Sequence, residues 1–303
     1  MDELLTGPQL RDPAVFHPCP ADAACPYCTG SIDVESDVAF DWSFLDGVYC
    51  ISLQSREDRT ASAAAEFHRV GLCRHVLFYR PIKHSKSAKR GIWDSHRAVG
   101  AHALQRGRTQ TLIMEDDVLF ARRLRPQKVR AIPRALQTLP PEWMIFFLGH
   151  WPLWAYFIRP NVLRTGSACA HAYIASSRLL RWLHDHPYEA PDILKAPRFV
   201  GAGIDAAYAE LEPTYALFPM IAIQSASQSD NMKCDPTNKK HKLRHLIRRS
   251  RHREWLLSNL MRPNELVIAM LSPLFFALRH SLRLGRHLGV FSVSRSSRSW
   301  RRQ

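Results

Sequence analysis

Three consecutive carboxylates stand at Glu115, Asp116 and Asp117, between the apolar runs "TLIM" and "VLF". Like charges this close raise one another's pKa, and burial adds to the effect, unless a positive group sits among them. A cluster of hard oxygen ligands suits Mg²⁺ or Mn²⁺, which use one or two protein carboxylates and complete their shell with substrate phosphate and water. A solvated acidic turn is the plainer alternative. The apolar flanks favour the metal, because a solvent-facing turn seldom sits directly between two buried runs.

Other residues bear on the same chemistry. Arg56 and Arg59 in "ISLQSREDR" follow a short apolar run, and guanidinium forks suit phosphates. Their alternative is surface charge at a helix start. "WDSHRAV" carries Ser95 and His96 ahead of the acids. Asp205 in "VGAGIDAAYAE" follows two glycines and heads a predicted helix, where the plain reading is a helix cap. His150 and His171 are candidates for lining a pocket, and Asp230 for a metal or substrate contact. GxGxxG, Walker A, HExxH and G-x-S-x-G motifs are all missing, which removes the usual dinucleotide, NTPase, zinc-protease and serine-hydrolase readings.

The elements that must hold these groups follow from periodicity. "GVYCISL" and "HVLFYR" read as buried strands around the helical "TASAAAEFHRVGL". This strand-helix-strand alternation predicts a βαβ unit, hence a parallel sheet. "RGIWDSHRAVGAHALQRG" reads as the next helix, and "QTLIM" as the strand that delivers the acids. "EWMIFFLG", "SACAHAYIAS" and "YALFPMIAIQ" read as further strands, and "SRLLRWLHDH" as a helix. In open α/β sheets ligands bind at the carboxyl ends of strands, where the acids stand.

Composition divides the chain. Of the net charge of +15, +14 lies beyond residue 232, where 17 Lys and Arg face 3 acids. The expected organisation is an irregular Cys- and Pro-containing extension over 1–40, an α/β domain over 41–232 and a basic amphipathic helical tail over 233–303. The tail's leucines set among basic residues favour an anionic membrane surface, with a plain solvated helix as the alternative and nucleic acid third. No nucleic-acid module is recognisable. "LVIAMLSPLFFAL" falls short of the roughly 20 apolar residues of a membrane span.

Seven thinly spread cysteines and an acidic start without an apolar run point to a cytoplasmic protein, peripheral at the inner membrane face. In the extension, His17, Cys19, Cys25 and Cys28 could close a zinc site, but the second half of a usual zinc ribbon is missing.

The ordered set "VYCISLQSREDR", "RGIWDSHRAVGAHAL", "TLIMEDDVLF", "MIFFLG", "ACAHAYIASSRLL" and "GID" resembles glycosyltransferase family 25, the family of lipooligosaccharide and collagen galactosyltransferases. The resemblance covers about Gly47 to Asp230. It implies a GT-A-like, Rossmann-like nucleotide-sugar-binding sheet flanked by helices. It also implies a divalent metal and inverting transfer of a hexose, with galactose the family's sugar, from a UDP-sugar to a hydroxyl of a cell-surface glycan or glycolipid. Glu115 and Asp117 would then be the metal ligands. Ser52, Arg56, Arg59, Ser95, His96 and Asp116 would serve the donor nucleotide, and Asp205 would be the base. The rival readings are a non-catalytic sugar-nucleotide-binding or membrane scaffold of the same fold, and a metal-dependent enzyme acting on phosphates.

Overall fold

The computed structural model describes residues 16–32, 38–188, 203–225 and 257–287. Strand β1 (Phe16–Pro18) and the short helix α1 (Pro26–Thr29) precede a β2 (Gly47–Ile51), α2 (Glu57–Arg69), β3 (Val76–Tyr79) unit. Helix α3 (Ala88–Gln105) leads to β4 (Gln110–Glu115), β5 (Val118–Phe120) and α4 (Pro126–Gln137). A long hairpin of β6 (Ile145–Arg159) and β7 (Val162–Ser176) runs into α5 (Ser177–Asp185). Then come α6 (Ile204–Glu210), β8 (Thr214–Leu217) and β9 (Ala222–Gln224). After a single π-helical turn, α7 (Arg262–His287) closes the described chain.

Among the described residues, seven strands form one sheet in the order β1-β3-β2-β4-β7-β6-β8, and β5 pairs with β9 in a small second sheet. The β2-α2-β3 unit is parallel, as its alternation requires, and β4 adds parallel to β2. The rest of the sheet departs from the parallel expectation. β7 runs antiparallel to β6, because a two-residue turn joins them and such a link can only produce antiparallel neighbours, and it also pairs antiparallel with β4. The run "YALFPMIAIQ" splits into β8 and β9. Pro219 between them lacks an N–H and cannot continue a ladder.

Alternation along the strands sorts the core into two layers. Val48, Cys50, Leu112 and Met114 point to one face, which Ala63, Phe67, Val129 and Ile132 of α2 and α4 cover. Tyr49 and Ile113 point to the other, with Trp93 and Val99 of α3, Leu179 and Leu180 of α5, and Tyr208 of α6. This is an α/β sheet flanked by helices. The stretch expected as irregular contributes β1, which pairs antiparallel with β3 at the sheet edge.

Most of the expected basic tail lies outside the described residues, but α7 falls within it and packs on the body. Its Glu265 is fully buried, with Oε1 2.8 Å from His150 Nε2 and Oε2 accepting from Met220 N–H at 3.2 Å. Ser272 donates to Ile268 O and accepts from Ala155 N–H of β6. His150 is therefore engaged with α7 and, through Nδ1, with Ser167. Glu265→Ala takes away the partner of His150 Nε2 and of the Met220 N–H, at about 1–3 kcal/mol for each group. Urea unfolding will show the loss as a lowered midpoint.

Candidate active site

The carboxyl ends of β2 and β4 lie side by side, with Ile51 paired to Glu115. Strand alternation carries past these ends and separates the three acids. Asp116 follows Leu112 and Met114 towards the α2 layer. There its Oδ2 accepts from Ser52 Oγ at 2.8 Å and its Oδ1 meets Arg59 Nη1 at 2.9 Å. Ser52 Oγ also lies 2.8 Å from Thr60 Oγ1 on α2. Asp116 is thus the buried centre of a clasp between the β2-α2 turn and the β4 end. Burial raises its pKa, and Arg59 and Ser52 oppose the rise.

Glu115 follows Ile113 towards the other layer. Its Oε1 lies 3.6 Å from His96 Nε2. His96 Nδ1 is 2.7 Å from Tyr173 OH, which is 2.7 Å from Tyr208 OH. Burial pushes His96 down to about 4, so the ring is neutral at pH 7 and carries one N–H. Placing that proton on Nε2 points it at Glu115 and leaves Nδ1 to accept from Tyr173. Burial, then the charges of Asp205 and Asp116, push the Glu115 carboxyl up to about 8 against the pull of Arg59. Asp205 sits in the first turn of α6, and its Oδ1 accepts from Ala170 N–H of β7 at 2.8 Å. The N-cap of α6 is Gly203, so Asp205 is a first-turn acid bonded to β7 and not the cap.

Asp117 occupies the two-residue turn between β4 and β5, half-buried, with its carbonyl accepting from Ser225 N–H. The turn is fixed on its far side as well. Glu66 of α2 accepts from Phe120 N–H at 3.0 Å, and Arg69 donates to Phe120 O at 3.1 Å.

The other sequence candidates fall as follows. Arg56 is the N-cap residue of α2 and forks onto Asp58 with two 2.9 Å bonds. Ser95 donates back along α3 to Gly91 O at 2.6 Å, the usual recourse of a serine inside a helix. His171 is buried against Gly149, where an added Cβ would collide with its ring. Asp230 lies outside the described residues. Tyr173, Tyr208 and Thr60 belong to the site through contacts that no local motif announces. Arg80 does too, donating to Gln54 O at 2.9 Å and to Glu57 at 2.8 Å across the β2-α2 loop.

The buried imidazoles give the protein an acid weakness. Burial pushes His171 from 6.5 to about 4, so the unfolded chain takes up its proton well before the folded one does. The stability from a neutral His171 is complete above about 6.5 and is lost as pH falls towards 4, on the order of 2 kcal/mol by pH 5. Denaturant midpoints between pH 7 and 4 will follow this slope, and His171→Leu will flatten part of it.

No family model matches the chain, and no curated protein matches it. Among solved structures, it is similar to a glycosyltransferase involved in the glycosylation of the major capsid of PBCV-1, at 10% identity and a TM-score of 0.31. The match covers 57% of this chain and 93% of that one. The likeness is distant, and the functional reading rests on the residues of the site.

Proposed function

We propose that this chain is a metal-dependent inverting glycosyltransferase of the family 25 type. It moves a hexose, with galactose the first choice, from a UDP-sugar to a hydroxyl of a cell-surface glycan or glycolipid. The observation that carries the reading is the placement of Glu115 at the carboxyl end of β4 and of Asp117 in the turn that follows, with the charge of Asp205 from α6 adding to the rise of the Glu115 pKa. Partly buried carboxylates of like charge are unfavourable alone and become favourable around a divalent cation. The residues present therefore fit a Mn²⁺ or Mg²⁺ ion, which Glu115 and Asp117 would hold. When bound, the ion would neutralise the charge developing on the departing diphosphate.

The chain's own groups do the rest. Ser52, Arg56 and Arg59 stand at the β2-α2 turn to receive the nucleotide, and Asp116 acts through Arg59 and Ser52 by holding both in place. His96 presents a neutral N–H beside Glu115, positioned by Tyr173. Asp205 takes the proton of the acceptor hydroxyl, oriented by its bond from Ala170 N–H.

On this reading the acceptor lies at an anionic membrane surface. No helix among the described residues is long and apolar enough to cross a membrane. Yet α7 exposes Leu266, Val267, Met270, Leu271 and Leu274 in a chain segment rich in arginine. Apolar residues beside basic ones suit a helix lying in the interface.

Calorimetric titration of UDP-galactose and UDP-glucose, with Mn²⁺ and with chelator, tests the reading. Binding that requires the metal is expected. Binding indifferent to chelator, or no binding of either nucleotide, removes the sugar-nucleotide site.

A further inference from the structure

A second cluster lies on the α2 layer and belongs to none of this chemistry. Cys25 and Cys28 come from the N-terminal arm, His68 from the last turn of α2, and Cys73 from the turn before β3. One ligand atom from each residue falls within 4.8 Å of all the others. Cys28 Sγ is 3.5 Å from Cys73 Sγ and 3.4 Å from His68 Nδ1, and Cys25 Sγ is 3.8 Å from Cys73 Sγ.

These separations have a simple meaning. A disulfide would bring two sulfurs to about 2.05 Å. A tetrahedron with Zn–S bonds of about 2.3 Å and Zn–N bonds of about 2.05 Å has S···S edges of about 3.8 Å and S···N edges of about 3.6 Å. Three of the six edges, at 3.4, 3.5 and 3.8 Å, come within about 0.3 Å of those lengths, and all six lie within 4.8 Å. We propose that Cys25, Cys28, His68 and Cys73 form a structural zinc site, a Cys₃His tetrahedron whose four protein ligands leave no position open for substrate. Soft thiolates and an imidazole select zinc, whereas the oxygen ligands at Glu115 select a harder ion.

The local chain is built for this closure. Cys25 is the N-cap of a single turn of helix, Cys28 lies within that turn, and it ends on Gly30 at φ +74°. The second half, "HRVGLC", turns at Gly71 with φ +71°, where a Cβ would stand 2.7 Å from the Tyr27 ring. Tyr27 therefore seats the two halves face to face. His17 and Cys19, grouped with this site on sequence grounds, are not among its ligands. They lie on and just after β1, where Cys19 N–H donates to Val76 O. The metal clips the arm to the end of α2, the helix whose other end carries Arg56 and Arg59.

Elemental analysis of the full chain, purified with reductant and without added metal, decides the matter. About one zinc per chain is expected. It should persist in Asp117→Ala, Cys19→Ser and His17→Ala, and be lost from Cys28→Ser and Cys73→Ser. Because a cysteine variant can fail to fold, two further measurements stand beside these. Co²⁺ exchanged into the wild type should give the intense visible bands of a tetrahedral thiolate site, and His68→Cys should keep the ion while shifting those bands. Chelation should open residues 16–32 to protease. The proposal is overturned by metal-free protein with no tetrahedral Co²⁺ spectrum, by zinc retained in both Cys28→Ser and Cys73→Ser, or by a Cys28–Cys73 disulfide found by mass under these conditions.

Discussion

Asp117→Ala is expected to abolish Mn²⁺-dependent binding of the UDP-sugar while leaving the protein folded. Asp117 stands in a two-residue turn whose backbone is held by β5, β9 and the Glu66–Phe120 bond, none of which needs its carboxylate. The substitution removes charge from the ion's shell without opening a core cavity. Losing a preorganised charge of this kind costs on the order of 10²–10³-fold in turnover. Calorimetry with Mn²⁺ and initial rates with UDP-galactose measure the loss, and circular dichroism checks the fold. A variant that binds and turns over like the wild type would remove Asp117 from the metal site.

Arg59→Met should act in the opposite manner, through stability first. Arg59 and Asp116 form a pair with side chains only 12% and 8% exposed. Removing the guanidinium leaves a buried carboxylate still bonded to the Ser52 hydroxyl but with no counter-charge from Arg59, a loss of about 3–5 kcal/mol. Arg59→Met with Asp116→Leu should recover much of that, since a buried pair exchanged for apolar groups of similar volume is often neutral. Chemical denaturation of the two variants gives the comparison. Equal destabilisation by both would mean that the clasp is held by something other than the ion pair. Neither variant is expected to bind nucleotide normally, because the β2-α2 turn loses its anchor in both.

Much of this was legible in the residues themselves. The β2-α2-β3 unit and the strand delivering the acids follow from apolar runs of strand length around a helical one, a local pattern that burial enforces. The Glu115–Asp117 block was visible as chemistry because acids between buried runs demand a reason. The division of labour within the block was hidden, although the period of two was present: Leu112, Met114 and Asp116 share one face, Ile113 and Glu115 the other. Knowing which face meets α2 and which meets α3 required the layers.

The zinc cluster shows the same boundary from another side. "CPYC" announces half a site at short range, and short range is what a linear pattern records. His68 and Cys73 are about 40 residues further on, spaced as no familiar ribbon is, and look like the end of an ordinary helix. Likewise, nothing near Glu265 marks it as the buried partner of His150, 115 residues away.

By itself the sequence determined the α/β class, the position of the acids at a strand end and the basic character of the C-terminal quarter, because these depend on local periodicity and charge. Only the tertiary structure decided the mixed sheet, the Asp116–Arg59–Ser52 clasp, the His96–Tyr173–Tyr208 chain, the docking of α7 and the fourfold thiol and imidazole cluster. Each of these joins groups distant in the chain, and the packing of layers, which no local spacing encodes, brings them within bonding distance.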